Sequence, residues 1–157
     1  MRGEFKVYVG GTFDLFHFGH ARFFRNIKRY FRKKNKSSLF LLSCDLVVAV
    51  NSDQFAISYK RKPVMNEEER LEVVKSCKYV DDAFIMPSEL QQESCIKECN
   101  PNYIVLGSDW KKKDYLGQLS ITQNMLDNMG CTIIFMPYTK NISTSKIVER
   151  ILNINVL

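Results

Sequence analysis

Long apolar runs are missing from this 157-residue chain: no stretch reaches the roughly 18–20 residues that a bilayer-spanning helix needs. The opening residues Met1-Arg2-Gly3-Glu4 lead into a strand-like run without an apolar secretory core, so no leader peptide and no membrane insertion are expected. Cysteine is sparse and odd in number. The five (Cys44, Cys77, Cys95, Cys99, Cys131) form no C-x-x-C pair, which argues against a disulfide scaffold or zinc ribbon. Reduced thiols in a cytoplasmic compartment are the expectation. Cys95 and Cys99 share a helix face at i,i+4 spacing, where buried thiols are expected rather than a metal pair. Histidine is scarcer still, with only His17 and His20. Two ligands fall short of the three or four that zinc requires, and no third is evident. No serine or cysteine stands at a strand-to-helix elbow, which argues against a covalent intermediate. Internal repeats, an interdomain linker and any known nucleic-acid-binding motif are likewise absent.

What remains is an ordinary globular composition, 45% apolar and 25% charged, sized for one domain over residues 1–157. The net charge of +6 suits anionic ligands. Much of it lies in 28–36 (K-R-Y-F-R-K-K-N-K) and 59–62 (Y-K-R-K), read as a solvated basic helix end and a phosphate funnel. Strand-like runs fall at 5–9, 46–50, 83–86, 103–106 and 132–136, and helical patterns at 19–32, 67–77, 89–99, 115–129 and 144–152. That alternation predicts a parallel sheet with helices on both faces. The run 46–50 is almost wholly apolar, as a strand buried on both sides should be. Pro101 and Asn102 should break the chain before the fourth strand, and Gly130 should stop a helix before the fifth. Segment 35–43 (N-K-S-S-L-F-L-L-S) reads as a loop followed by an early strand start or as a short excursion packed on the sheet edge, its apolar residues 39–42 serving core or dimer packing.

The chemistry concentrates in residues 10–20, G-G-T-F-D-L-F-H-F-G-H, between the first strand and the first helix. A glycine turn at Gly10 and Gly11 brings backbone N–H groups close to a phosphate, and the helix N-terminus adds partial positive charge. His17 and His20, three apart, should point to one side. In open α/β sheets ligands bind beyond the carboxyl ends of the strands. Asn51–Asp53 with Lys60-Arg61-Lys62 follows the second strand, Gly107-Ser108-Asp109-Trp110 the fourth, and P-Y-T-K-N-I-S-T-S-K-I the fifth. Ser143 or Thr144 suits a helix cap, and the free N–H groups there suit a triphosphate tail. Asp109 and Trp110 read equally as a substrate contact or, for Trp110, as a core cover.

These segments resemble the nucleotidylyltransferase superfamily and, within it, the cytidylyltransferases, most closely the branch acting on glycerol 3-phosphate. The resemblance rests on G-T-F-D-L-F-H-F-G-H, V-M-N-E-E-E-R at 64–70, K-Y-V-D-D at 78–82 and I-S-T-S-K-I, and covers nearly the whole chain. It implies a single Rossmann-like, doubly wound α/β domain of about five strands. It implies transfer of CMP from CTP to a small phosphoalcohol with release of pyrophosphate. Glycerol 3-phosphate is the first acceptor, phosphocholine or phosphoethanolamine the alternatives. An ATP-using adenylyltransferase acting on FMN, phosphopantetheine or a nicotinamide nucleotide is the enzymatic rival, and a nucleotide-binding relative without turnover the non-enzymatic one. Carried over by position, His17, His20 and Lys60 are catalytic. Gly10, Gly11, Thr12, Phe13, Asp14, Gly19, Gly107, Asp109, Thr139, Ile142, Ser143 and Thr144 bind the nucleotide. Asp53, Arg61, Lys78, Asp81 and Trp110 bind the acceptor. Magnesium is expected through the triphosphate, since it keeps several waters and needs few protein ligands. A cytoplasmic homodimer without nucleic-acid partners is expected.

Four positions depart from the family pattern. Lys78 stands where the family has arginine in R-Y-V-D-E, Tyr138 where an arginine precedes T-x-x-I-S-T, Asn141 where a glycine precedes I-S-T, and Ser108 where G-D-D-W has aspartate.

Overall fold

The computed structural model describes residues 5–34 and 44–154, apart from the side chains at 33, 34, 110 and 112. Its sheet holds five parallel strands: β1 (Phe5–Gly11), β2 (Cys44–Asn51), β3 (Asp82–Met86), β4 (Tyr103–Gly107) and β5 (Thr132–Met136). Their order is β3-β2-β1-β4-β5, a Rossmann-like arrangement that reverses direction between β1 and β4. Helices α1 (Phe18–Lys34), α2 (Asp53–Tyr59), α3 (Glu67–Lys75), α4 (Gln92–Cys99), α5 (Tyr115–Gln118), α6 (Gln123–Met129) and α7 (Thr144–Leu152) connect the strands or follow the last one. Segment 35–43, read above as a loop with a strand start or as an edge excursion, lies outside the described residues.

Alternation along each strand builds two cores. Val7 and Val9 of β1 face Phe24, Ile27 and Phe31 of α1 and Val74 of α3. Tyr8 faces the opposite layer, with Ile96 of α4 and Met125 and Leu126 of α6. Both faces of β2 are consumed, as its apolar run predicts: Leu46, Val48 and Val50 join the first core and Ala49 the second. Burial raises the thiols of Cys44 and Cys131 to about 11, keeping them protonated at neutral pH.

One feature of the ladder positions everything that follows. β1 pairs with β2 along its whole length, from Phe5↔Cys44 to Gly11↔Val50. With β4 it pairs only at Val7↔Tyr103 and Tyr8↔Ile104. Beyond that point the two strands part, opening a crevice at the topological switch point, at the carboxyl end of the sheet.

Two expectations are corrected and one helix is added. Gly10 and Gly11 form no turn; both lie in β1, and the left-handed residues of the exit are Phe13 (φ 54°) and Leu15 (φ 46°). The helical pattern over 115–129 is interrupted: Ser120 turns left-handed (φ 51°), and Thr122 caps a new helix by accepting from Met125 N–H at 3.1 Å. Residues 53–59, for which no element is predicted, form α2, capped by Ser52, whose Oγ accepts from Phe55 N–H at 3.0 Å. Gly130 (φ 62°) ends α6 as expected.

Candidate active site at the open end of the sheet

The histidines stand where α1 begins. Their rings stack at 3.8 Å between centroids, 19° from parallel. His17 Nδ1 accepts from Gly19 N–H at 3.1 Å, and His20 Nδ1 accepts from His17 N–H at 3.3 Å. An imidazole that accepts at Nδ1 carries its ring proton on Nε2, so each ring has an Nε2–H donor to offer while remaining neutral. Burial pushes His17 below its ordinary value. His20 is driven down to about 3 by burial first, then by the neighbouring His17 and Lys60. Phe13 and Phe16 hold the His20 ring at centroid distances of 5.4 and 5.3 Å. Gly19 permits this packing: a Cβ there would stand 2.9 Å from His17 Nδ1 and 2.8 Å from Ile142 Cγ2.

This arrangement has a consequence for stability. Between the folded value near 3 and an ordinary value of 6.5, the unfolded chain binds a proton at His20 that the folded chain does not. Stability is therefore lost as pH falls through that window, by up to about 1.4 kcal/mol per pH unit from this one group. The lowered value of His17 acts with the same sign. Chemical denaturation of the wild type and His20→Asn between pH 7 and 4 should give a shallower acid limb for the variant. Parallel limbs would contradict the assignment.

Around the pair, the exits of β1 and β2 are tied together by a residue that sequence reasoning missed. Arg70 is 0% exposed. Its Nη1 donates to the carbonyls of Thr12 (2.7 Å) and Asn51 (2.8 Å), its Nε to Met65 O (3.0 Å), and its Nη2 pairs with Asp53 Oδ1 at 2.6 Å. Tyr59 closes the same seam, its hydroxyl accepting from Asn51 Nδ2 at 2.7 Å and sharing a 2.9 Å bond with the Thr12 hydroxyl. Asp14 is buried, and its carboxylate accepts from the N–H groups of Leu15 (3.1 Å), Val64 (2.9 Å) and Met65 (2.9 Å). It thereby pins the segment after Lys60-Arg61-Lys62 beside the histidines. Lys60 and Arg61 are exposed at the rim, the Lys60 ammonium 5.8 Å from the Tyr59 ring centroid.

The far wall comes from the chain between β5 and α7. Asn141 is left-handed (φ 64°), a conformation asparagine tolerates, so its replacement of the family glycine keeps the local fold. Ser143 caps α7 by accepting from Lys146 N–H at 3.2 Å, and Thr144 donates its hydroxyl to Asp14 O at 2.8 Å. The N-termini of α1 and α7 thus meet at the turn after β1, where the Gly19 and His20 amides already donate to His17 and both helix ends add partial positive charge. Thr139 is half-buried on the same connection.

Several expected roles change. The buried ring of Phe13 turns inward over Gly11, His20 and Phe24, which leaves its backbone as the part that can face a nucleotide. The carboxylate of Asp14 and the hydroxyl proton of Thr144 are committed to the protein itself, which leaves the Thr144 backbone amide as its donor. Asp53 is half-engaged by Arg70. Asp109 is exposed and pairs with Lys113 at 3.2 Å. Lys78 and Asp81 are not at this site at all: Asp81 accepts from Leu46 N–H at 2.6 Å and pairs with Lys28, at the amino-terminal edge of the sheet. Lys78 precedes it in the same connection, 5.3 Å over the Tyr79 ring. The expected contact of Trp110 lies outside the described side chains. Among the described residues no group of three or more His, Cys, Asp or Glu gathers to hold a metal, and no helix is long and apolar enough to cross a membrane.

Comparison with known proteins gives concordant matches. The family model described as cytidylyltransferase-like matches residues 8–150. Glycerol-3-phosphate cytidylyltransferase of Bacillus subtilis is 30% identical over 147 residues, covering 93% of this chain and 96% of the relative. FAD synthase of Pyrococcus horikoshii is 33% identical over 158 residues, covering 96% and 95% respectively. Among solved structures, the lipopolysaccharide core biosynthesis protein of Thermoplasma volcanium superposes with a TM-score of 0.63 at 26% identity, covering 88% of this chain and 98% of that one.

Proposed function

The chain belongs to the cytidylyltransferase-like family, and from that premise we propose that it transfers CMP from CTP to a small phosphoalcohol, glycerol 3-phosphate first, releasing pyrophosphate. The observation that carries this reading is the stacked, neutral histidine pair, with an Nε2–H on each ring, at a helix N-terminus. An oxygen of the acceptor's phosphomonoester attacks the α-phosphorus in line, and pyrophosphate leaves with the bond electrons. Little covalent chemistry falls to the protein; it aligns two anions and meets charge developing on the α-phosphoryl oxygens. His17 and His20 donate to those oxygens as neutral imidazoles, Lys60 adds a mobile positive charge at the rim, and the amides of Ser143 and Thr144 face the triphosphate tail. Among the described residues no cluster of carboxylates, histidines or cysteines would hold magnesium, so the ion would be carried mainly by the triphosphate, where it would offset the charge of the leaving group.

A second reading, transfer of AMP from ATP to FMN, is favoured by the similarity to an FAD synthase over nearly the whole length of both chains. The two readings separate in one experiment. Pyrophosphate release is followed with CTP or ATP against glycerol 3-phosphate, phosphoethanolamine, phosphocholine and FMN. Release that requires CTP together with a phosphoalcohol supports the first reading. Release that requires ATP together with FMN replaces it with the second.

A further inference from the structure

The site described above supplies donors for phosphates but leaves the nucleobase without a partner. We propose that Tyr138 is the stacking wall for the base, a binding role that rests on the nucleotidyl-transfer reading.

The ring of Tyr138 lies against the backbone of Gly107, at the carboxyl end of β4, so closely that a Cβ at position 107 would overlap its ring atoms. From α1, Phe23 packs on it at 5.0 Å between centroids, tilted by 43°. Yet Tyr138 remains 51% exposed. An aromatic ring that is backed by a glycine backbone and a buried phenylalanine and still presents area to solvent is a preformed platform. Its position is the mouth of the crevice where β1 and β4 part. Four residues on, Ile142 reaches the first turn of α1, where a Cβ on Gly19 would meet both Ile142 and His17. The segment from 138 to 142 therefore spans the opening from β4 to the histidines, and a nucleotide with its phosphates at His17 and His20 extends its base along that span. Stacking on an aromatic ring accepts any base and needs no charge, which fits tyrosine here in place of the family arginine.

The test is calorimetric titration of CTP, ATP and inorganic tripolyphosphate into the wild type, Tyr138→Ala, Tyr138→Leu and Tyr138→Phe. Tripolyphosphate carries the phosphate contacts without a base. Loss of one base–aromatic stack corresponds to about tenfold or more in nucleotide affinity. The alanine and leucine variants should weaken the preferred nucleotide by that factor, raising KM without lowering kcat. The phenylalanine variant should bind it as the wild type does, and tripolyphosphate should bind equally to all four. Tyr138→Leu retains apolar bulk over Gly107 should alanine compromise folding. Nucleotide affinity that is unchanged or increased in the leucine or alanine variant overturns the stacking role and leaves the nucleotidyl-transfer reading intact. A wild type that binds tripolyphosphate but neither nucleotide overturns both.

Discussion

Replacing either His17 or His20 with alanine should lower turnover by about 10²–10³, equivalent to roughly 2.7–4 kcal/mol of transition-state stabilisation, with the fold retained. The expectation follows from protonation state rather than from the presence of histidine alone. Both imidazoles are held neutral by burial, and both use Nδ1 as an acceptor from backbone N–H groups. What each ring has left is one Nε2–H donor, oriented before substrate arrives. A donor fixed in place costs no reorganisation when charge develops on the phosphoryl oxygens, so its effect falls on kcat more than on binding. Asparagine at position 20 should recover part of the loss by restoring a donor, whereas phenylalanine, which restores only the ring, should not. Initial rates at saturating CTP, with circular dichroism as a check of folding, decide the matter. Alanine variants with normal turnover would remove the pair from the chemistry.

Arg70→Met should destabilise the protein by about 3–5 kcal/mol, a fall in melting temperature of roughly 6–20 °C. Methionine approximates the arginine stem but leaves the carbonyls of Thr12, Asn51 and Met65 without this donor and the half-buried Asp53 without its cation. Removing one partner from a buried network costs far more than the net value of the bonds it made. Arg70→Lys should recover little, because a point charge cannot serve four directions that a planar guanidinium fork serves at once. Arg70→Met combined with Asp53→Asn should be less damaging than the sum of the two single changes, since the second removes the stranded charge. Strict additivity would show that the 2.6 Å contact carries no coupling.

Much of the fold was legible because its signals are local. An all-apolar run such as 46–50 announces a strand covered on both faces, and Gly130 announces a helix end. The interruption of 115–129 was hidden, because Leu119 and Ile121 continue an apolar helical pattern while Ser120 takes a left-handed conformation that composition does not reveal. Helix α2 was missed for its length of seven residues, although Ser52 before D-Q-F-A was a readable cap.

The site divides the same way. The histidines and the α7 cap sit on strand exits and helix starts, where sequence order alone sets position. Arg70 closes the motif V-M-N-E-E-E-R, but three preceding glutamates give no sign of its burial, and only tertiary packing makes it the hub of the site. For Lys78 and Asp81 the sequence held the correction. They precede β3 instead of following a strand, and in a parallel sheet that places them at the edge away from the crevice.

The central claim is that this chain directs attack to the α-phosphorus of a nucleoside triphosphate. The most direct measurement follows that atom with CTP carrying ³²P at the α-phosphate, magnesium and glycerol 3-phosphate. The account predicts that the label appears in a cytidylylated alcohol, in equal amount with pyrophosphate, and only when the acceptor is present. Label recovered in CDP with release of inorganic phosphate would place the attack at the γ-phosphorus and contradict it, as would label left wholly in CTP and in similarly labelled ATP across the acceptor panel.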